Sequence, residues 1–431
     1  MRLFPVILIL QITFTCFAQE SIEDVASLLS KHKYVRLSKC FNDEMKRAVS
    51  VSDLEKIWES LEQSGGEFQQ IDNIEKKNRE TGTFQSALLR FENLSMRLEL
   101  STDLDDKVSG LMIKQLGYSP PDYARNLGTG KKYINFISDD YELSGELIIP
   151  LECNNCPVVI LVHGSGPNDK DETIGPNRIF YDLALGLAKK GVATFRYDKR
   201  SNLYPETVDG QFDLYDETIN DAISALNVIQ DDTSLFFGKH FMLGHSLGAY
   251  AMPLIVDSIG EKLNGSILFS ANARRLEDLI EYQMDYLTKY DGEISGEEDE
   301  IIQKNTRNAE KIRTGNFTLE TPSTELLAYW PGAFWKGIAT YDQVDVLSKN
   351  TKNEFLILQG EKDYQITMKD FSLWQEKVGD QKNVTLKSYP GLTHLFTPST
   401  LEKPGPGDYF VPKNVSFEVI TDIVNWITAI D

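Results

Sequence analysis

The stretch Phe241-Met-Leu-Gly244-His245-Ser246-Leu247-Gly248-Ala249 decides the fold. An apolar run, Phe236-Phe237 and then Phe241 to Leu243, enters Gly-His-Ser-Leu-Gly and leaves into small residues, so a strand is predicted before Ser246 and a helix after it. G-x-S-x-G at such a junction is the pattern of a nucleophile elbow. The serine sits on a turn sharp enough to strain its backbone, and the flanking positions must lack side chains for the turn to close. Gly244 and Gly248 meet that need, which makes Ser246 the candidate nucleophile.

Around the elbow, strands and helices alternate. Strands are predicted at 134–137 and 143–149, and Pro157-Val-Val-Ile-Leu-Val162 has the unbroken apolar character of a buried parallel strand. Helix 179–190, strand 192–197, helix 216–230, strand 236–243, helix 247–259 and strand 265–269 follow, an order that implies a doubly wound α/β sheet. The alternation stops over 275–345, which is helical and charged and ends in Tyr329-Trp330-Pro-Gly-Ala-Phe334-Trp335; it resumes with Phe355-Leu-Ile-Leu358, strand 384–389 and helix 415–429. An insertion between sheet strands is where a lid belongs. A substrate pocket above Ser246 needs apolar walls, and Trp330 and Trp335 are the candidates for substrate binding, with Pro331-Gly332 aiming both aromatic pairs at one cavity. The other reading is that the cluster packs the lid onto its own helices.

The first hundred residues have a different character. Residues 21–63 read as helical, with Ile22, Val25, Leu28 and Leu29 at helical spacing and Ser52-Asp-Leu-Glu55 placed as a capping box. Gly65-Gly66 ends that pattern, and four alternating runs (68–76, 83–91, 96–100, 108–113) make an antiparallel sheet. This is a small α+β domain over 19–118, joined by a Pro- and Gly-rich linker at 117–131 to a second domain over 119–431. It holds one histidine, His32, and no polar cluster that reads as a site.

The formal charge of -21, from 44 basic and 65 acidic residues, argues against a nucleic-acid backbone or an anionic membrane as partner. Arg2, the mostly apolar run 3–17 and Ala18 before Gln19 read as a cleavable signal peptide over 1–18, which places the protein outside the cytoplasm, secreted or periplasmic. Beyond it, no apolar stretch is long enough to span a bilayer. In an oxidising compartment Cys153-Asn-Asn-Cys156 could close a local disulfide across a hairpin. Zinc would need two further ligands, and no second Cys/His pair at suitable spacing is present, so no metal is expected.

A serine nucleophile needs a base, and the base an orienting group. Of five histidines, His163 lies in His-Gly-Ser-Gly, His240 and His245 flank the elbow and His32 is in the other domain, which leaves His394 in Pro390-Gly-Leu-Thr-His394 as the base. Asp363, at the end of a strand in Gln359-Gly-Glu-Lys-Asp363, is the acid, with Glu361 its near competitor and Asp370 already within the next helix. The oxyanion hole is assigned to the N–H groups of Leu247 and Ser165, with Gly164 the alternative to Ser165. His163 itself reads as structural.

Together Leu161-Val-His-Gly-Ser-Gly-Pro-Asn-Asp-Lys-Asp-Glu-Thr-Ile-Gly-Pro-Asn177, Phe195-Arg-Tyr-Asp-Lys-Arg200, Gly244-His-Ser-Leu-Gly248, Gln359-Gly-Glu-Lys-Asp-Tyr-Gln365 and Tyr389-Pro-Gly-Leu-Thr-His394 resemble an α/β-hydrolase group of secreted carboxylesterases, related to serine aminopeptidases. The resemblance covers roughly 125–431 and departs from the group at Ala249, where a third glycine is common. It implies hydrolysis of a small-molecule ester by Ser246, Asp363 and His394 without a cofactor. The first domain resembles an uncharacterised, cystatin-like family found ahead of some secreted hydrolases. The alternatives are a peptidase or acyltransferase of the same fold, and an inactive hydrolase fold serving as a binding module.

Overall fold

The computed structural model describes residues 21–430 except 93, 235, 291, 293 and 400. The segment read as a signal peptide lies outside the described residues. The chain forms two compact units, one ending at Leu116 and the other starting at Gly117.

In the first unit, helices α1 (Ile22–Ser30), α2 (Tyr34–Lys39), α3 (Asp43–Ala48) and α4 (Val51–Gly65) precede strands β1 (Phe68–Arg79), β2 (Gly82–Phe91), β3 (Ser95–Thr102) and β4 (Val108–Gln115). The strands form an antiparallel meander in sequence order. Ile22, Val25 and Leu29 of α1 and Trp58 of α4 are buried against Leu89, Leu98 and Leu100 of the sheet. The capping box of α4 is Ser50 with Asp53, not Ser52 with Glu55. Ser50 takes the Asp53 N–H and Asp53 returns to the Ser50 N–H at 2.9 Å, so the helix starts two residues earlier than its apolar periodicity indicates.

The second unit opens with the antiparallel pair β5 (Thr129–Ser138) and β6 (Tyr141–Pro150), followed by β7 (Val158–Val162), the short pair β8 (Thr173–Ile174) and β9 (Asn177–Arg178), α5 (Ile179–Lys189) and β10 (Ala193–Tyr197). Next come α6 (Arg200–Leu203), a π-helical turn (Tyr215–Ile219), α7 (Asn220–Asp231), β11 (His240–His245), α8 (Leu247–Ile259) and β12 (Gly265–Phe269). Four helices of the insertion intervene, α9 (Leu276–Thr288), α10 (Gly296–Arg313), α11 (Gly332–Gly337) and α12 (Gln343–Lys349), before β13 (Glu354–Gly360), α13 (Met368–Val378), β14 (Val384–Tyr389) and α14 (Phe417–Ala429). The eight-stranded sheet has the order β14-β13-β12-β11-β7-β10-β6-β5. It is parallel from β10 to β14 and antiparallel at β6 and β5.

Alternation of side chains along the central strands explains why both faces are covered. Val158, Ile160 and Val162 of β7 face the core shared with α7 and α8, while Val159 and Leu161 face the core shared with α5 and α14. The winding changes direction at β7, which pairs with β10 on one side and β11 on the other. A crevice therefore opens beyond the C-terminal ends of β7 and β11, where ligands of such sheets bind.

Two expectations are corrected. The elbow strand begins at His240 rather than at Phe236, whose ring is 77% exposed and contributes nothing to the sheet. Cys153 and Cys156 are joined in a disulfide, but the loop is no hairpin: β6 and β7 are separated in the sheet by β10.

The start of the second unit is clamped to its C-terminal region through Asp182 of α5. Its carboxylate accepts from Tyr118 Oη (2.7 Å), the Val415 N–H (2.9 Å) and Asn414 Nδ2 (3.2 Å). Burial raises its pKa from 3.8 to about 7 against the pull of those three donors. The folded state thus keeps a proton that the unfolded state loses at lower pH, so stability is fully present below the unfolded pKa and falls as pH rises toward 7. The span is on the order of 4 kcal/mol. Thermal melts of the wild type and Asp182→Asn across that window should show a slope in the wild type that the variant lacks; equal slopes would remove Asp182 as its source.

Candidate active site

Ser246 adopts φ 53° and ψ -114°, a conformation that costs of order 1–3 kcal/mol outside glycine. Close packing holds it there. A Cβ at Gly244 would lie 2.4 Å from the Gly248 carbonyl oxygen, and one at Gly248 would lie 2.5 Å from the Val162 oxygen and 2.6 Å from the His163 oxygen. Both glycines of the motif are therefore needed for backbone to lie on backbone. Ala249 is fully buried without a clash, so the departure at that position is accommodated. The Ser246 N–H donates to Phe269 O at 3.0 Å, and its carbonyl accepts the first helical bond of α8 from Tyr250.

His394 follows β14 and is buried. Its Nδ1–H donates to Asp363 Oδ2 at 2.6 Å, which leaves Nε2 as the free basic nitrogen. Asp363 is held in turn by the N–H groups of Gln365 (2.8 Å) and Ile366 (2.9 Å) on Oδ1 and by Gln359 Nε2 (3.3 Å) on Oδ2. The competitors are engaged elsewhere. Glu361 accepts from Ser388 Oγ at 2.8 Å, and Asp370 pairs with Arg274 and caps α13.

The His163-Gly164-Ser165-Gly166 loop lies against the elbow, since a Cβ at Gly164 would approach Ser246 Cβ to 3.3 Å. The Gly164 N–H is already donated to Glu172 Oε1 at 2.8 Å and the Gly166 N–H to Glu217 Oε1 at 3.0 Å. That arrangement favours Ser165 over Gly164 as a donor to an oxyanion. Leu247 is the first residue of α8, so its N–H has no partner within the helix. Lys199 Nζ reaches both the Gly164 carbonyl (2.9 Å) and Glu217 Oε1 (2.6 Å), locking the loop from below. His163 sits between Phe180 and Tyr197, with burial lowering its pKa to about 4, so it is neutral and packs as an aromatic ring.

Sequence reasoning passed over Glu172, Lys199 and Glu217. All three are buried; Glu172 and Lys199 fall in the quoted motifs, where a charged residue inside a stretch bound for the sheet's crevice was the signal available, while Glu217 lies outside them.

A family model described as serine aminopeptidase, S33, matches residues 155–398, and one described as a protein of unknown function (DUF3887) matches 23–111. Over 418 residues the chain is 32% identical to esterase EstD of Thermotoga maritima, with 96% of each chain covered. The chain belongs to the serine aminopeptidase S33 family of α/β-hydrolases. Among solved structures, Est1E from Butyrivibrio proteoclasticus with ferulic acid bound is 18% identical, with a TM-score of 0.45, covering 69% of this chain and 98% of that one. Esterase Pf2001 of Pyrococcus furiosus is 13% identical, with a TM-score of 0.45, covering 74% and 98%.

In the insertion between β12 and β13, Pro331 caps α11 instead of splitting the aromatic cluster toward a cavity. Trp335 is 1% exposed and packs with Phe334 and Trp330 at ring separations of 5.7 Å, and Phe334 packs on Phe212. The expectation of two tryptophan pocket walls is corrected for Trp335, which is core; Trp330 is half-buried at the edge of the same cluster. Trp335→Ala should therefore lower stability by about 3–5 kcal/mol while leaving acyl-chain preference unchanged. A shift in preference without a fall in melting temperature would return Trp335 to the pocket.

Proposed function

We propose that the protein is a carboxylesterase acting through an acyl-enzyme on Ser246, with His394 as general base and Asp363 as its orienting group. The observation that carries this reading is the 2.6 Å bond from His394 to a buried, fully engaged Asp363, in the loop after the strand two places along the sheet from a strained serine elbow. The named esterase relative at 32% identity supports the ester substrate class.

In this mechanism Ser246 Oγ attacks the ester carbonyl as His394 Nε2 takes its proton. The Leu247 and Ser165 N–H groups receive the oxyanion. His394 then protonates the departing alcohol, and water, deprotonated by the same nitrogen, cleaves the acyl-enzyme to the carboxylic acid and free Ser246. Asp363 keeps the proton on Nδ1 and stabilises the imidazolium at each transfer without itself being protonated.

The family description favours a second reading, cleavage of aminoacyl amides. A panel of p-nitrophenyl esters of rising chain length beside aminoacyl-anilides separates the two, and faster turnover of the anilides would overturn the esterase reading. Ser246→Ala and His394→Ala should each lower kcat by about 10⁴-fold or more, and the double variant hardly further, because the groups act as a unit. Asp363→Asn should be severe and Glu361→Gln mild; the reverse order would move the acid.

We infer that the protein is exported, with cleavage after Ala18. The Cys153–Cys156 disulfide supports an oxidising compartment. N-terminal sequencing of the exported protein should begin at Gln19; a start at Met1 would exclude cleavage.

A further inference from the structure

Beneath the site lies a charged pair that the mechanism above does not use. His245, adjacent to the nucleophile, is buried with both ring nitrogens facing acceptors. Nδ1 is 3.0 Å from Glu172 Oε1, and Nε2 is 3.1 Å from the backbone carbonyl of His394. A carbonyl oxygen cannot donate, and a carboxylate that already accepts the Gly164 N–H on the same oxygen also acts as an acceptor. With Glu172 ionised, each ring nitrogen carries a proton.

We propose that Glu172 and His245 form a permanent buried carboxylate–imidazolium pair that positions the oxyanion loop and the catalytic histidine relative to each other. Glu172 grips the loop through Gly164, and His245 grips the backbone of His394. Glu172 itself is held at φ 46°, a left-handed conformation rare for this residue type. Burial opposes charge on both groups, but their mutual attraction outweighs it, raising the pKa of His245 and lowering that of Glu172.

The pair also meets the base directly: the His245 and His394 ring centroids are 4.6 Å apart. The charged groups facing His245 are Glu172 and, through His394, Asp363; Glu172 also faces the neutral His163.

This rests on the reading of Ser246 and His394 as nucleophile and base, which fluorophosphonate labelling of the wild type tests separately: an unlabelled wild type sinks that reading, not the pair. The pair is tested first in the wild type, by ¹⁵N-histidine NMR with His245→Gln to assign the resonance. Both ring nitrogens of His245 should be protonated between about pH 6 and 8; one unprotonated nitrogen throughout that range overturns the proposal. The second arm is Glu172→Gln, whose amide oxygen still accepts from Gly164 without the charge. Per labelled active site, kcat should fall about tenfold with KM nearly unchanged. Glu172→Asp, which keeps the charge, should recover part of that kcat. Wild-type kcat per site in Glu172→Gln would reduce the pair to packing and overturn its positioning role.

Discussion

The contact on which the site depends is backbone against backbone: Gly248 lies against the carbonyls of Val162 and His163, where a single methyl group would come within 2.5 Å. That approach joins the exit of β7 to the turn after β11. Ser246 can then hold its strained conformation, because the structure on both sides is too closely packed to relax. The Ser165 N–H and the Leu247 N–H owe their common location to the same contact, since one follows β7 and the other opens α8. The catalytic geometry is in this sense a consequence of how two adjacent parallel strands end.

Close packing sets a distance but not the direction of a loop's N–H groups. Direction comes from buried charges. Glu172 and Glu217 each take one amide of the His-Gly-Ser-Gly loop, and Lys199 takes the Gly164 carbonyl while neutralising Glu217. Such groups are costly to bury, and removing one partner of a pair typically costs about 3–5 kcal/mol. They are worth that cost only where orientation matters more than stability, as it does for donors to a developing oxyanion. Glu217 sits in a π-helical turn, Tyr215–Ile219, a feature that recurs at functional sites.

What was legible in the sequence follows this division. Backbone constraints leave periodic or glycine-dependent traces, so the strand–helix alternation and the elbow could be read from runs such as 157–162 and from a serine flanked by glycines, whereas Asp363 and His394 were reached through chain order and the small number of histidines. The start of the elbow strand could not, because Phe236 and Phe237 look like strand residues and only sheet pairing shows that the ladder begins at His240. The capping box was misplaced because Ser50 and Ser52 are both plausible caps and hydrogen bonds alone select Ser50. The Glu172 and Glu217 anchors left no periodicity at all. Their partners lie 8 to 73 residues away in the chain, and their role exists only once the loops meet.

The aromatic lid segment was misread for a related reason: density of large rings marks a place that must be buried, not what buries it. Trp335 is covered by its own cluster. The helix of the insertion bound to the loops that carry Asp363 and His394 is α9 instead. Arg274, just before it, pairs with Asp370; Gln283 donates to Gln365 O, two residues past Asp363; Tyr286 stacks on Tyr364 and donates to Pro404 O in the segment after His394. A helix bound at three points to the acid and base loops cannot swing without pulling on Asp363. α10 is carried on α9 by buried Ala309 and Ile312, which share a core cluster with Leu276, Leu279 and Ile280, and by the ion pairs of Arg313 with Asp278 and Glu281, so the second helix of the insertion rides on the first.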